Sequence, residues 1–291
     1  MDIKFNLPSP LQEYSFNKIS FLLKRDDLIH PLFSGNKARK IDYLLNTPLD
    51  KYDKIVSYGS LFSNAMLSLA IFSKIKNIPF YYFVKNLSKK ELLSPKGNLK
   101  IALSNGMILK DYRYLQDYLT QNALFIKEGI SNKFAYIGVE KLAKELIKEL
   151  LPNKNYQIFL PSGTGTTSLF LSKALIKLNK KNIKVFTTPV VGDKNYLLEQ
   201  FRNLEKDSSF YPTILDTSKR YGFGRLYKEF YQIWLELYYQ TKVEFDLLYD
   251  PKGWITILEN SSLFENLVYI HQGGNIGNIT MIERYQRRWQ L

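Results

Sequence analysis

Twice along the chain a short apolar run, a turn of small polar residues, an amphipathic segment and a second apolar run follow one another in the order that a β-α-β unit requires. Lys54-Ile55-Val56-Ser57-Tyr58 leads through small residues into a helix over 63–76 and then into Phe80-Tyr81-Tyr82-Phe83-Val84. Later, Gln157-Ile158-Phe159-Leu160 passes through a Gly/Thr turn into a helix carrying Leu169, Phe170, Ala174 and Leu178, and Lys184-Val185-Phe186-Thr187 follows. Strands joined through a helix run parallel, so the pattern predicts an α/β chain of mostly parallel sheets flanked by helices. Between the two units, 134–151 reads as a long amphipathic helix with Leu142, Leu146, Ile147 and Leu150 inward. No internal repeat and no low-complexity linker separates the units. Two lobes, if the chain forms them, therefore interleave and do not follow one another like beads.

Composition narrows the chemistry. The chain has 291 residues, 45% hydrophobic and 15% aromatic, which is enough apolar surface for a substantial core. It contains no cysteine, which removes disulfides, thiolate nucleophiles and cysteine metal sites. Its two histidines, His30 and His271, lie far apart in sequence, leaving little for zinc or a Ser-His pair, so no metal is expected. No run approaches the ~18 to 20 apolar residues of a membrane span, and Met1-Asp2-Ile3-Lys4-Phe5-Asn6-Leu7-Pro8 lacks the apolar core of a secretory signal. The expected location is the cytoplasm, with no membrane partner. A net charge of +14 makes nucleic acid a rival partner. The lysines argue otherwise, because they are spread over helix faces, as at Lys141, Lys144 and Lys148 or Lys173, Lys177, Lys180 and Lys181, and form no arm or tract. A basic field would equally draw a phosphate cofactor or a small anionic substrate.

Four turns of small residues stand where strands give way to helices. In Ser34-Gly35-Asn36-Lys37-Ala38-Arg39-Lys40, between the apolar stretch 21–28 and a helix with Ile41, Leu44 and Leu45 inward, Lys37 falls in the first helical turn. There the amide dipoles and burial both disfavour an ammonium and push the amine below its ordinary ~10.4, towards the neutral form that a Schiff base requires. A solvated basic helix start fits the same residues. The loop Pro161-Ser162-Gly163-Thr164-Gly165-Thr166-Thr167-Ser168 has the makings of a phosphate cradle: glycines for close approach, free helix amides, and hydroxyls from Thr164, Thr166 and Thr167. It lacks the third glycine of a dinucleotide motif, and the chain has no Gly-Lys pair for a Walker loop. A capped strand-to-helix turn is the plainer reading. Ser63, in Tyr58-Gly59-Ser60-Leu61-Phe62-Ser63-Asn64, suits a helix cap as well as a site, and 267–275 ends a buried strand in Gly273-Gly274, which suits a tight turn. Such turns converge on the crevice where parallel sheets bind ligands. A reactive lysine with a phosphate cradle and no nucleotide motif points to pyridoxal phosphate.

With these segments in order, the chain resembles the 1-aminocyclopropane-1-carboxylate deaminase and D-cysteine desulfhydrase family of pyridoxal-phosphate enzymes, which share the tryptophan-synthase-β-like fold. The matching segments are Leu23-Lys24-Arg25-Asp26-Asp27-Leu28, Gly35-Asn36-Lys37-Ala38-Arg39-Lys40, Ser63-Asn64, Asn132 to Leu146, the loop Gly163 to Thr167, Tyr221-Gly222, Tyr249 and His271-Gln272-Gly273-Gly274. The resemblance implies two interleaved lobes, the larger from 1–39 and 141–291 and the smaller from 40–140, and a homodimer. It matches Lys37 to the cofactor-bonding lysine, Lys40 to a phosphate contact and Asn64 to the partner of the cofactor's ring hydroxyl. Gly163, Thr164, Gly165, Thr166 and Thr167 match the phosphate loop, Ser63 the serine beside the substrate carboxylate, and Tyr221 and Tyr249 the two active-site tyrosines.

Several positions depart from the family pattern. Asp250 stands where the deaminases carry Glu and the desulfhydrases a small hydroxyl residue. A carboxylate beside the pyridine nitrogen keeps it protonated, which leans towards the deaminase side. Gln272 matches neither the Leu of the deaminases nor the Thr of the desulfhydrases. Ser34 replaces a glycine, and Phe223-Gly224 replaces the usual Pro-Asn. The expected reaction converts a small amino acid to a 2-oxo acid and ammonia, as in the cyclopropane deaminases, with Lys37, Ser63, Tyr221 and Tyr249 as candidates for proton transfer or nucleophilic attack. A D-cysteine desulfhydrase or another D-amino-acid β-eliminating lyase is the alternative. A protein that holds the cofactor without turnover, or a basic nucleic-acid-binding scaffold, is the alternative of another class.

Overall fold

A computed structural model describes residues 4–33, 35–87 and 89–290; Ser34, one of the departures from the family pattern, and Met1 to Ile3 lie outside them. In chain order the elements are β1 (Leu11–Phe16), β2 (Ile19–Lys24), α1 (Gly35–Leu45), β3 (Lys54–Tyr58), α2 (Asn64–Lys76), β4 (Phe80–Val84), α3 (Lys89–Leu93), α4 (Gly97–Ser104), β5 (Ile108–Asp111), α5 (Leu115–Tyr118) and β6 (Ala123–Ile126). There follow α6 (Ala135–Glu149), β7 (Tyr156–Ser162), α7 (Thr166–Lys177), β8 (Ile183–Pro189), α8 (Lys194–Leu204), β9 (Thr213–Ile214), α9 (Lys228–Thr241), α10 (Asp250–Glu259), β10 (Leu267–Ile270) and α11 (Asn278–Trp289).

The strands form two sheets. The smaller has the order β5-β4-β3-β6 and is parallel throughout. The larger has the order β1-β2-β10-β7-β8-β9, parallel except for the β1–β2 hairpin. That hairpin closes through Asn17 and Lys18, both with positive φ (47° and 66°), the two-residue turn whose twist suits antiparallel strands. The last strand, β10, lies between β2 and β7, and all four of its residues are buried, as befits a central parallel strand covered on both faces. One face of the large sheet carries an aromatic core in which Trp254 stacks on Tyr269 at 4.9 Å; the other packs Leu142, Leu146 and Val139 of α6 against Leu169 and Ala174 of α7. The small sheet builds its own core with Ile41 and Leu44 of α1 and with Met66, Leu69 and Ala70 of α2.

Where the two lobes meet, α1 lies on α6. A Cβ on Gly138 would fall 1.8 Å from the Arg39 carbonyl oxygen, so the helices touch backbone to backbone. Arg39, almost wholly buried, donates to both oxygens of buried Asp26 at 2.6 Å and to Glu145 on α6 at 2.9 and 3.0 Å. Lys24, at the end of β2, pairs with Glu145 and Glu149. These buried charges are mutually compensated, as burial demands. They tie α1 to β2 and α6. The turns after β3, β7 and β10 all open at the strands' C-terminal ends, onto the crevice between the sheets.

Candidate active site

That crevice holds a cavity of about 410 Å³, whose walls include Lys37, Lys40, Ser63, Asn64, the run Gly163 to Thr167, Tyr249, Asp250 and Gln272. Lys37 sits in the first turn of α1. Its amine donates to the Asn36 side-chain oxygen at 2.8 Å. Burial pushes the amine down to about 8, with the charge of Asp246 opposing the shift. Asn36 is itself held: its amide donates to Gln272 Oε1 at 2.7 Å and to Thr167 Oγ1 at 3.4 Å, and its backbone N–H donates to the Gln272 carbonyl. Gln272 also donates to the Pro161 carbonyl at 2.7 Å. The side chain at 272 thus ties the lysine turn to the end of β7.

Lys40, one turn beyond Lys37, is 2% exposed and donates to the Gly129 carbonyl at 3.0 Å. Among the described residues no carboxylate lies within ion-pair distance of either lysine. Burial, then the charge of Lys37, holds the Lys40 amine well below its ordinary range. Close by, Gly165 caps α7 with φ 69°, and a Cβ there would come within 2.4 Å of the Phe201 ring, so only glycine closes this turn. The first amides of α7 have no acceptor within the helix, and Thr166 and Thr167, which carry them, line the cavity. The hydroxyls of Thr164 and Thr166 lie 3.0 Å apart, and Thr166 donates on to Ser131 at 3.0 Å. Two lysines, a helix N-terminus and a row of hydroxyls surround one end of the cavity, a donor set for a dianion.

Across the cavity, Ser63 caps α2, accepting from the amides of Ala65 and Met66 at 3.1 and 3.4 Å, so the plainer expectation for this serine holds while it also lines the site. Asn64 accepts from Asn98 at 2.8 Å, which turns its amide group towards Asp246 Oδ2 at 3.5 Å. Tyr249 packs half-buried against Gly163, and desolvation raises its phenol well above the usual range. Asp250, 2% exposed, accepts from the Tyr269 hydroxyl at 2.6 Å on one oxygen and from the Asp246 N–H at 2.8 Å on the other. The structure departs from the sequence expectation at Tyr221. It does not line this cavity but packs on Tyr227 and Phe230, with ring centroids 4.9 and 4.7 Å away. Phe223, two residues on, takes the place at the wall, 5.8 Å from the Tyr249 ring.

Sequence reasoning missed Asp246, Glu128, Tyr196, Phe223 and Arg284, all of which line the cavity. Asp246 is the most consequential. One carboxyl oxygen accepts from the amides of Leu248 and Tyr249 at 2.7 and 2.9 Å. The other lies so close to Gly274 that a Cβ there would sit 2.1 Å from it. Gly274 has φ 108°, and no side chain fits. Burial, and then the neighbouring charge of Asp250, push the Asp246 carboxyl up to about 7. The one sequence signal was an Asp shortly before a helix, which reads as a cap.

No protein-family model matches the chain. Among curated proteins it is 24% identical to a Thermotoga maritima protein provisionally named 1-aminocyclopropane-1-carboxylate deaminase, over 93% of this chain and 95% of that one. It is 21% identical to a rice protein provisionally named D-cysteine desulfhydrase 2, mitochondrial, over 96% of this chain and 87% of the other. Among solved structures, an ACC deaminase homologue superposes with a TM-score of 0.80 at 20% identity, over 97% of this chain and 94% of that chain. The chain is thus similar along its whole length to proteins named 1-aminocyclopropane-1-carboxylate deaminase or D-cysteine desulfhydrase, and it shares the two-lobed tryptophan-synthase-β-like fold.

Proposed function

We propose that the protein is a pyridoxal-phosphate-dependent lyase or deaminase that converts a small amino acid to a 2-oxo acid and ammonia, in the manner of a 1-aminocyclopropane-1-carboxylate deaminase. Lys40 is the observation that carries this reading. A buried lysine amine with one carbonyl partner and no carboxylate carries its proton favourably only beside an anion, and it shares its end of the cavity with the open start of α7 and the hydroxyls of Thr164, Thr166 and Thr167. A phosphate monoester fits that set. When bound, pyridoxal phosphate supplies an electron sink for the carbon that bears the substrate's amino group.

The chain's own residues do the rest. Lys37, lowered to about 8, keeps a useful neutral fraction near physiological pH, so its amine can bond the cofactor's aldehyde carbon and, once released, accept or return a proton. Asn64, braced by Asn98, presents an amide donor for the ring hydroxyl. Asp250, oriented by Tyr269 and the Asp246 N–H, would be the partner of the ring nitrogen. The Ser63 oxygen accepts from two amides, which leaves its own proton, within reach of the Tyr82 phenol, to be turned towards the substrate carboxylate. Tyr249, with its phenol raised, is suited to donate a proton and poorly suited to lose one first. Tyr221 is left out of the set by its position. The rice relative supports a second reading, β-elimination from a D-amino acid, with Lys37 removing the α-proton.

The test is spectroscopic. Protein reconstituted with pyridoxal phosphate should absorb in the visible, and Lys37→Ala should abolish that band; an unchanged spectrum refutes the role of Lys37. Ammonia and 2-oxo acid release over a panel of D- and L-amino acids and the cyclopropane amino acid then separates the two readings.

A further inference from the structure

The cavity has a cation that the proposed chemistry leaves unused. Arg284 lies on α11, whose residues Thr280, Met281 and Arg284, with Gly277 just before them, form one stripe along the cavity wall. Its guanidinium donates to the Gly224 carbonyl at 2.7 Å and touches the Met281 sulfur at 3.2 Å. Five N–H donors serve these two contacts. Among the described residues no carboxylate lies within ion-pair distance of it.

Its place in the cavity restricts what it can meet. A Cβ on Gly277 would lie 3.8 Å from Asn64 Oδ1, so the start of the stripe marks the ring-binding end. Seven residues on, at 1.5 Å per residue, Arg284 stands about 10 Å further along the helix. There it meets Gly224, next to Phe223 on the cavity wall. In the proposed function the substrate's own carboxylate would go to Ser63 at the start of α2. What remains for Arg284 is the substrate's side chain. On another wall stands Glu128, exposed beside Gly59 and without a hydrogen bond or ion pair for its carboxylate among the described residues. Partial desolvation raises its carboxyl above the ordinary value, the charge of Lys85 opposes that shift, and the negative charge it keeps disfavours anions on that side. Attraction at one wall and repulsion at another discriminate between substrates more sharply than either alone.

We propose that Arg284 recognises an anionic group on the substrate's side chain, so that the preferred substrates are small amino acids carrying a second negative charge: a carboxylate, a sulfonate or a phosphate ester. The proposal rests on the pyridoxal-phosphate reading and deepens it.

Titration of the visible band of the reconstituted protein with matched pairs tests it: O-phosphoserine against serine and cysteate against cysteine, each in D and L form. The anionic member of a pair should half-saturate at a concentration at least 10-fold lower. Arg284→Met should erase most of that advantage, while Arg284→Lys, which keeps the charge but loses the fork, should retain part of it. The +14 charge as a whole cannot imitate this result, since a single substitution barely changes it and salt screens it. Equal or tighter binding of the neutral members, or an advantage that survives Arg284→Met, overturns the proposal. Absence of a visible band in the wild-type protein refutes the cofactor reading and this proposal with it, whereas a band without preference refutes this proposal alone.

Discussion

Lys37 and Asp246 are displaced in opposite directions by the same burial, and the pH dependence of stability follows from that. Asp246 keeps its proton up to about 7 in the fold, against about 3.8 in the unfolded chain, so between those values the folded state binds more protons. Stability from this group is complete below about pH 4 and is lost as pH rises to 7. For Lys37 the folded amine loses its proton at about 8 and the unfolded one at about 10.5, so stability is regained as pH climbs between them. Asp246→Asn keeps the oxygen that accepts from Leu248 and Tyr249 but cannot ionise. Its stability relative to wild type should therefore grow between pH 4 and pH 8, by on the order of 2 to 4 kcal/mol. Urea unfolding of the cofactor-free proteins at both pH values measures this, and parallel changes in the two proteins would refute the buried charge. Much of the site was legible at this scale: Lys37, Lys40, Ser63, Asn64, the 163–167 loop and Tyr249 all reach one cavity. The rest was not, because a cavity wall is assembled by long-range packing. Arg284 and Asp246 carry no local pattern that distinguishes them from a surface cation and a helix cap. Tyr221 shows the converse, since its neighbours in space, not its position in a motif, put it among Tyr227 and Phe230.

At the level of elements, sequence periodicity located what local forces decide. The structure has β3 and β4 at the expected residues, and α2 begins one residue after its cap Ser63. The expected lobe boundaries at 39/40 and 140/141 fall inside α1 and α6, two helices that pack on each other. Nothing local in Gly138 announces this contact. Ala is the better helix former, so on propensity alone Gly138→Ala should stabilise α6 by about 1 kcal/mol. The added methyl would meet the Arg39 carbonyl at 1.8 Å, however, and the clash is with backbone, which cannot rotate away. Gly138→Ala should cost about 3 kcal/mol or more. Because α1 carries Lys37 and Lys40, it should also weaken retention of pyridoxal phosphate. A variant as stable to urea as the wild type would show that the two helix backbones do not touch.

For the whole molecule, the two sheets differ in how the chain builds them. Every strand of the small sheet lies between residues 54 and 126, whereas the large sheet joins 11–24 to 156–270, with β10 inserted between β2 and β7. Pairing across some 240 residues leaves no local trace, which is why the strand over 267–270 was recognisable but its neighbours were not. The aromatic run 231–239 divides in the same non-local way: Trp234 and Leu237 face the core, while Tyr238 and Tyr239 are exposed. The insertion of β10 has a strong consequence. Ending the chain at Asn266 would leave the facing edges of β2 and β7 without partners and would remove Val268, Tyr269, Ile270, Met281 and Tyr285 from the cores on both faces. Unpaired strand edges with half a core cannot hold a sheet together. The truncated chain should therefore lose the cooperative unfolding transition of the full-length protein, along with its ability to bind pyridoxal phosphate, although it keeps Lys37, Lys40 and the whole 163–167 loop. A truncated protein that unfolds at the full-length urea midpoint would mean that the large lobe does not depend on its last strand, and would overturn the order β2-β10-β7.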